Sequence, residues 1–332
     1  MYNREEEILE QYEIEVRSTS KGRGALNCDT DKGTMMLKEF RGSKERAAFL
    51  YEILGFLSDR HFAAETVMRS KEGEVLVKDE VNDISYLLKS RYPGKECDVK
   101  SRDDILAAVR KLAEFHSIGK VCEKEIPEFV KADENSLFEE YGRHNRELNK
   151  VKNYIRNKKK KNDFELLFMR VYENYKSQAF EVTRQLEEQA GRLDASYLDR
   201  MRGICHGDYN QHNAVLFQGE WTLINFEQMS YDVMVGDLAN FIRKILEKYN
   251  WNTGLGIDMI TAYDGVRKLM PEELEQIYLR LAYPKKYWKI ANHYLSSRKS
   301  WISGRDIEKL EKVMEQEQQR KQFLKMLFCF TS

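Results

Sequence analysis

The periodicity of the chain shifts around Tyr92-Pro93-Gly94, and that shift limits the fold more than any other feature. Ahead of it, short segments alternate apolar and polar residues, the pattern of half-buried strands. Tyr12–Val16 and Ala25–Cys28 read as strands, with Ser18–Gly24 a flexible turn between them, and Asp29–Gly33 turns the chain into a third strand, Thr34–Phe40. Ser43 is placed to cap a helix whose apolar stripe is Phe49, Leu50, Ile53, Leu54 and Leu57. Further strands are expected at 65–69, 74–78 and 84–91. Beyond Gly94 the period becomes helical, first over Asp103–Ser117 and then over most of 134–200, with the basic run Lys158–Lys161 as a loop between two long helices. A short sheet-like interruption covers 214–225, and helices resume from Gly236. The expected fold class is α+β in two lobes: a small antiparallel sheet with one helix in residues 1–94, and a larger helical lobe in 95–332.

Composition excludes several classes of function. Lysine plus arginine number 55, as do aspartate plus glutamate, so no global charge calls for nucleic acid or an anionic membrane. No segment approaches the ~18 apolar residues of a membrane span. The N-terminal MYNREEEILEQYEIE is acidic and has no apolar core, so it does not read as a secretory signal, and a cytoplasmic location is expected. The five cysteines are scattered without CxxC spacing, the usage of free thiols in a reducing compartment. Only four prolines occur, which suits long helices.

The chemistry concentrates in Cys205–Gln228, CHGDYNQHNAVLFQGEWTLINFEQ. Phosphoryl transfer needs bridged phosphates, a cation on the nucleotide and a carboxylate that orients the attacking hydroxyl. Asp208 and, five residues on, Asn213 have the spacing of a kinase catalytic loop, aspartate toward the acceptor and asparagine toward a magnesium ion. His206 is placed to brace that loop, and Gly207 permits a sharp turn. Two apolar runs, Ala214–Phe217 and Trp221–Phe226, and the tripeptide Asp237-Leu238-Ala239 follow in order. A plain polar turn would also use Asp208, Asn210 and Asn213, but not this sequence of elements.

HGDYNQHN, INFEQMSYDVMVGDLANFIRK and the lobe order resemble the aminoglycoside phosphotransferase and choline kinase superfamily. With RELNKVKNYIRNKKKKNDFELLFMRVYENY and ICHGDYNQHN, the chain is more narrowly similar to CotS-type spore coat proteins. The resemblance spans nearly the whole chain and implies a protein kinase-like fold, ATP and Mg2+ as cofactors, a small hydroxyl-bearing substrate, and spore coat proteins as partners in the mother cell or on the coat. Under it Asp208 is the catalytic carboxylate, and Lys38 contacts the nucleotide phosphates. A glutamate of the following helix pairs with Lys38; Glu52 is preferred to Glu45, seven residues away on the same face. Gly22 and Gly24 sit where a phosphate-covering loop would be, without the full GxGxxG pattern. Leu88–Tyr92 is the adenine-receiving hinge, ending at Tyr92, and the helical stretch of about 131–200 is the substrate-side insert.

The departure is Asn225. The family has an aspartate there, a metal ligand, and magnesium favours charged oxygens. With Asn213 also neutral, the metal pair carries no charge, and Glu227 is the candidate third ligand. Two expectations stand together: an active Mg-dependent kinase for a sugar or amino-sugar hydroxyl, or a coat component whose phosphotransfer is weak or lost, a pseudokinase. Asp237, His116 and the tryptophans read as structural, and His212 as a variable loop position.

Overall fold

The computed structural model describes residues 2–22, 24–120, 126–133, 136–193, 195–296 and 304–331. In chain order the elements are α1 (Tyr2–Leu9), β1 (Val16–Gly22), β2 (Ala25–Thr30), β3 (Gly33–Glu39), α2 (Lys44–Asp59), β4 (Val67–Met68), β5 (Val77–Asp79), β6 (Ile84–Ser90), β7 (Lys95–Glu96) and α3 (Arg102–Lys120). They continue with α4 (Ser136–Arg156), α5 (Asp163–Arg192), α6 (Ala195–Met201), β8 (Arg202–Cys205), β9 (Ala214–Phe217), β10 (Glu220–Leu223) and β11 (Ser230–Val233). The chain closes with α7 (Val235–Leu246), α8 (Thr253–Asp264), α9 (Pro271–Ala282), α10 (Lys285–Ser296), α11 (Gly304–Glu315) and α12 (Glu317–Thr331). Residues 1–131 with 204–231 form one compact unit, and 132–203 with 232–332 form another. These units do not follow the break after Gly94, because β7 pairs with β9 and the 204–231 segment packs with the N-terminal sheet's own unit.

In the first unit an antiparallel sheet runs β1-β2-β3-β6-β4, with β5 also on β6. One face is apolar: Leu26, Cys28, Met35, Leu37, Val77 and Leu88 bury against Ile8, Leu9 and Tyr12. The expected strand at Tyr12–Val16 is corrected here. Tyr12 is a buried residue just after α1, and β1 starts at Val16 and runs through the Ser18–Gly22 stretch expected to be a turn. The reason is local: β1 is an outer strand, exposed along most of its length, so it shows no apolar alternation. The Ser43 hydroxyl accepts the Arg46 N–H at 3.3 Å and starts α2, and the predicted stripe from Phe49 to Leu57 is buried.

The second unit is mostly helical. Leu148, Val151 and Ile155 of α4 share a core with Phe164, Phe168 and Tyr172 of α5, and with Tyr287, Ile290, Tyr294 and Leu310. Asn162 opens α5 with a capping box: its side chain accepts the Glu165 N–H at 2.9 Å while Glu165 accepts the Asn162 N–H at 3.0 Å. The basic run before it is more than a solvated loop, since Lys158 donates to the buried Glu165 at 2.5 Å and Lys161 to the Lys158 carbonyl at 3.0 Å.

Candidate functional site

The loop after β8 is built around Gly207. Its φ is +80°, and a Cβ there would lie 1.9 Å from the Gln228 carbonyl oxygen, so glycine is required both by conformation and by space. His206 is fully buried; its Nε2 meets the Ile224 carbonyl oxygen at 2.9 Å, and its Nδ1 accepts the Asp208 N–H at 3.3 Å. A neutral ring with its proton on Nε2 satisfies both bonds. The Asn213 amide donates to the Asp208 carbonyl at 2.8 Å, closing the loop, and leaves the Asp208 side chain exposed. His212 is also exposed and pairs with Glu96 of β7.

The β9–β10 hairpin returns the chain to this loop. Ile224 N–H donates to the Asn213 carbonyl at 3.1 Å. Asn225 follows in the left-handed region, φ 67° and ψ 55°, a conformation that asparagine tolerates better than most side chains. Its amide donates to Asn213 Oδ1 at 2.8 Å, so two of the three expected metal ligands are bonded to each other. Arg46 of α2 anchors the next turn by donating to the Met229 carbonyl at 2.7 Å and the Glu227 carbonyl at 3.3 Å.

Strand register brings the charged groups in. Met36 of β3 lies opposite Lys89 of β6, so Lys38, two residues on, shares a sheet face with Lys89. Val67 of β4 lies opposite Lys89 on its other side, which puts Glu65, two residues back, on that face as well. This is the face opposite the α1-packed core. Lys89 is 1% exposed, and its ammonium donates to Glu227 Oε1 at 2.6 Å and to Asn225 Oδ1 at 3.0 Å while pairing with Glu65 Oε2 at 2.9 Å. Three partners account for all three ammonium protons. Glu65 Oε1 accepts the Phe226 N–H at 3.0 Å, so both of its oxygens are engaged. Lys38, about one-third exposed, reaches the same Glu227 oxygen at 2.7 Å and Asn225 Oδ1 at 3.4 Å.

The electrostatics follow from this packing. Burial by itself would push the Glu227 carboxyl up, but Lys89 and Lys38 overcome it and hold the group down at about 2. Burial pushes the Lys89 ammonium down, and the Glu65 and Glu227 carboxylates reverse that and raise it. Two ammonium groups and two carboxylates thus form a neutral, hydrogen-bonded cluster.

Of the expected site residues, Lys38, Asn213, Asn225 and Glu227 come together, with Asp208 on the same loop as Asn213. The pairing expected for Lys38 is corrected: its carboxylate partner is Glu227, whereas Glu52 and Glu45 both stand exposed on α2. The seven-residue spacing put these two on one face, but it is the outer one. Gly22 ends β1 in a tight hairpin and Gly24 has φ +70°; Arg23 between them lies outside the described residues. The Tyr92 hydroxyl donates to the Ala64 carbonyl at 3.0 Å, and in the expected hinge the Ser90 and Arg91 N–H groups are taken by Thr66 and Thr34 carbonyls. Lys89 and Glu65 were not foreseen. A lysine two residues after Leu87 in an apolar strand was the available signal.

The sequence pattern of the family described as "Spore coat putative kinase YutH" matches residues 5–327. Spore coat protein S of Bacillus subtilis (strain 168) is 22% identical over 97% of this chain and 93% of its own length. Among solved structures, an aminoglycoside phosphotransferase from Alicyclobacillus acidocaldarius superposes with a TM-score of 0.84 at 18% identity, covering 98% of this chain and 96% of that one. The amicoumacin kinase hAmiN, in complex with AMP-PNP, Ca2+ and Ami, superposes with a TM-score of 0.66 at 13% identity, covering 97% and 93%. The fold is therefore α+β and kinase-like, and the chain belongs to the spore coat kinase-like family that its residues 5–327 match.

Proposed function

We propose that this chain serves as a spore coat-associated protein on a kinase-like fold, with phosphotransfer weak or degenerate. The observation that carries the reading is the Asn225 side chain. An amide stands where the resemblance to the phosphotransferase superfamily implies an aspartate, its nitrogen bonded to Asn213 and its oxygen to two lysines. Neither residue of the pair brings charge to a metal-bridged phosphate. Similarity to spore coat protein S along nearly the whole chain supports the coat role, with coat proteins as partners and the mother-cell cytosol or the coat as its place. No helix among the described residues is long and apolar enough to cross a membrane.

One observation favours a second reading, an active ATP-dependent kinase acting on a sugar or amino-sugar hydroxyl. The Asp208 loop is intact and its carboxylate is exposed. On that reading residues 1–94 bind nucleotide, the hinge ending at Tyr92 receives adenine, Gly22 and Gly24 cover phosphates, and the helical insert at 131–200 selects the acceptor. Asp208 would orient the acceptor hydroxyl and take its proton, and Lys38 would hold the phosphates. Phosphate transfer from radiolabelled ATP to a panel of amino sugars and amino alcohols separates the two. The degenerate reading predicts turnover at or barely above that of Asp208→Ala; Mg-dependent turnover at an ordinary kinase rate of roughly 1–100 per second, abolished by Asp208→Ala, would establish the kinase.

A further inference from the structure

We infer that Lys89 is the resident cation of this site and that the chain holds its Asn213–Glu227 segment without a divalent metal. The inference rests on the proposed degenerate reading and gives it a cause. The three residues expected to hold a metal are Asn213, Asn225 and Glu227, and each has a side-chain oxygen already occupied. Asn213 Oδ1 accepts from Asn225, while Asn225 Oδ1 and Glu227 Oε1 each accept from both Lys38 and Lys89. Among the described residues, no three His, Cys, Asp or Glu side chains gather in a way that could hold a metal ion. Magnesium asks for octahedral oxygens at roughly 2.0–2.1 Å and gives up its waters reluctantly. The residues present do not fit it.

The physical conflict is with Lys89 itself. An ion bound to Asn225 and Glu227 would sit against an ammonium that is 1% exposed and bonded to those same oxygens. Like charges at that distance repel strongly in a poorly hydrated site. Lys89 cannot swing aside without leaving Glu65, which is itself buried and bonded to the Phe226 N–H. The neutral Asn225 is the matching half of this arrangement, since it accepts from the ammonium without adding a third carboxylate.

Mn2+ binding to the full chain, read by electron paramagnetic resonance of the free ion, tests this. The wild type should leave the free signal undiminished at millimolar Mn2+, and ATP should shift the melting temperature equally, including by zero, in EDTA and in Mg2+. Asn225→Asp alone should stay metal-free, because the new carboxylate pairs with Lys89. Asn225→Asp with Lys89→Met should take up Mn2+. Uptake by the wild type or by Asn225→Asp, or an ATP shift that requires Mg2+, overturns the inference, and the wild-type arm stands even if the double variant does not fold. Phosphate transfer without metal uptake would sink the proposed function and leave this inference standing; Mn2+ uptake without transfer would do the reverse.

Discussion

Replacing Lys89 by methionine is the sharpest test of the buried cluster. The substitution keeps much of the side-chain volume and removes only the ammonium. Glu65, 1% exposed, then loses its cation, while Glu227 keeps Lys38. Breaking a buried pair by deleting one partner costs about 3–5 kcal/mol, most of it the uncompensated charge left behind. For a unit of this size each kcal/mol lowers the melting temperature by roughly 2–4 °C, so a drop of roughly 6–20 °C at pH 7 is expected. Adding Glu65→Gln should recover much of it, since the amide oxygen can still accept the Phe226 N–H without a charge. The pH dependence supplies a second check. In the wild type the Glu227 carboxyl lies at about 2, below its ordinary value. A depressed carboxyl contributes stability that is complete above about pH 5 and is lost as pH falls toward 2. Lys89→Met removes the larger of the two cationic influences that hold Glu227 down, so the variant has less carboxylate stability to lose and the gap to the wild type should narrow as pH falls from 7 to 3. Melts followed by circular dichroism at both pH values, with the double variant beside the single, give all three numbers. A loss below about 1 kcal/mol, no more than an exposed pair is worth, would refute the argument, as would a gap that does not change with pH or a double variant worse than the single.

Other outcomes follow from the same geometry. Gly207→Ala places a Cβ 1.9 Å from the Gln228 carbonyl at φ +80°, so it should lower stability by more than about 2 kcal/mol or prevent soluble expression; a variant that melts like the wild type would contradict the loop described. Asn162→Ala removes the α5 cap and should cost about 1 kcal/mol in urea unfolding. His144 is buried against Trp288 with ring centroids 3.3 Å apart, and burial pushes its imidazole down to about 4. A depressed histidine makes the unfolded chain the better proton binder between pH 6.5 and 4, so stability should fall across that window, and His144→Phe should flatten the fall. Nuclear magnetic resonance titration of the ring checks the value directly.

The order of the elements was readable because it is local. The α2 stripe, the Ser43 cap, the loop between α4 and α5, and the Asp208–Asn213 spacing each lie within a few turns or residues, where periodicity and turn chemistry act. Strand β1 escaped for the converse reason: an outer strand with polar residues on both faces carries no alternation to read. Glu52 was misjudged because a helix wheel reports a shared face but not which face the tertiary core covers.

The candidate site divides along the same line. From the sequence alone came the loop, the hairpin behind it and the amide at Asn225 in place of a carboxylate. Only the tertiary structure decided what that amide touches. Lys38, Glu65 and Lys89 stand far apart in the chain, and they meet because antiparallel register puts Met36 and Val67 opposite Lys89, so that positions two residues away share its face. Register depends on pairing between distant segments, which no local pattern encodes. For that reason an apolar strand with one lysine gave little warning that the lysine is buried, fully bonded and seated beside the oxygens expected to hold a metal.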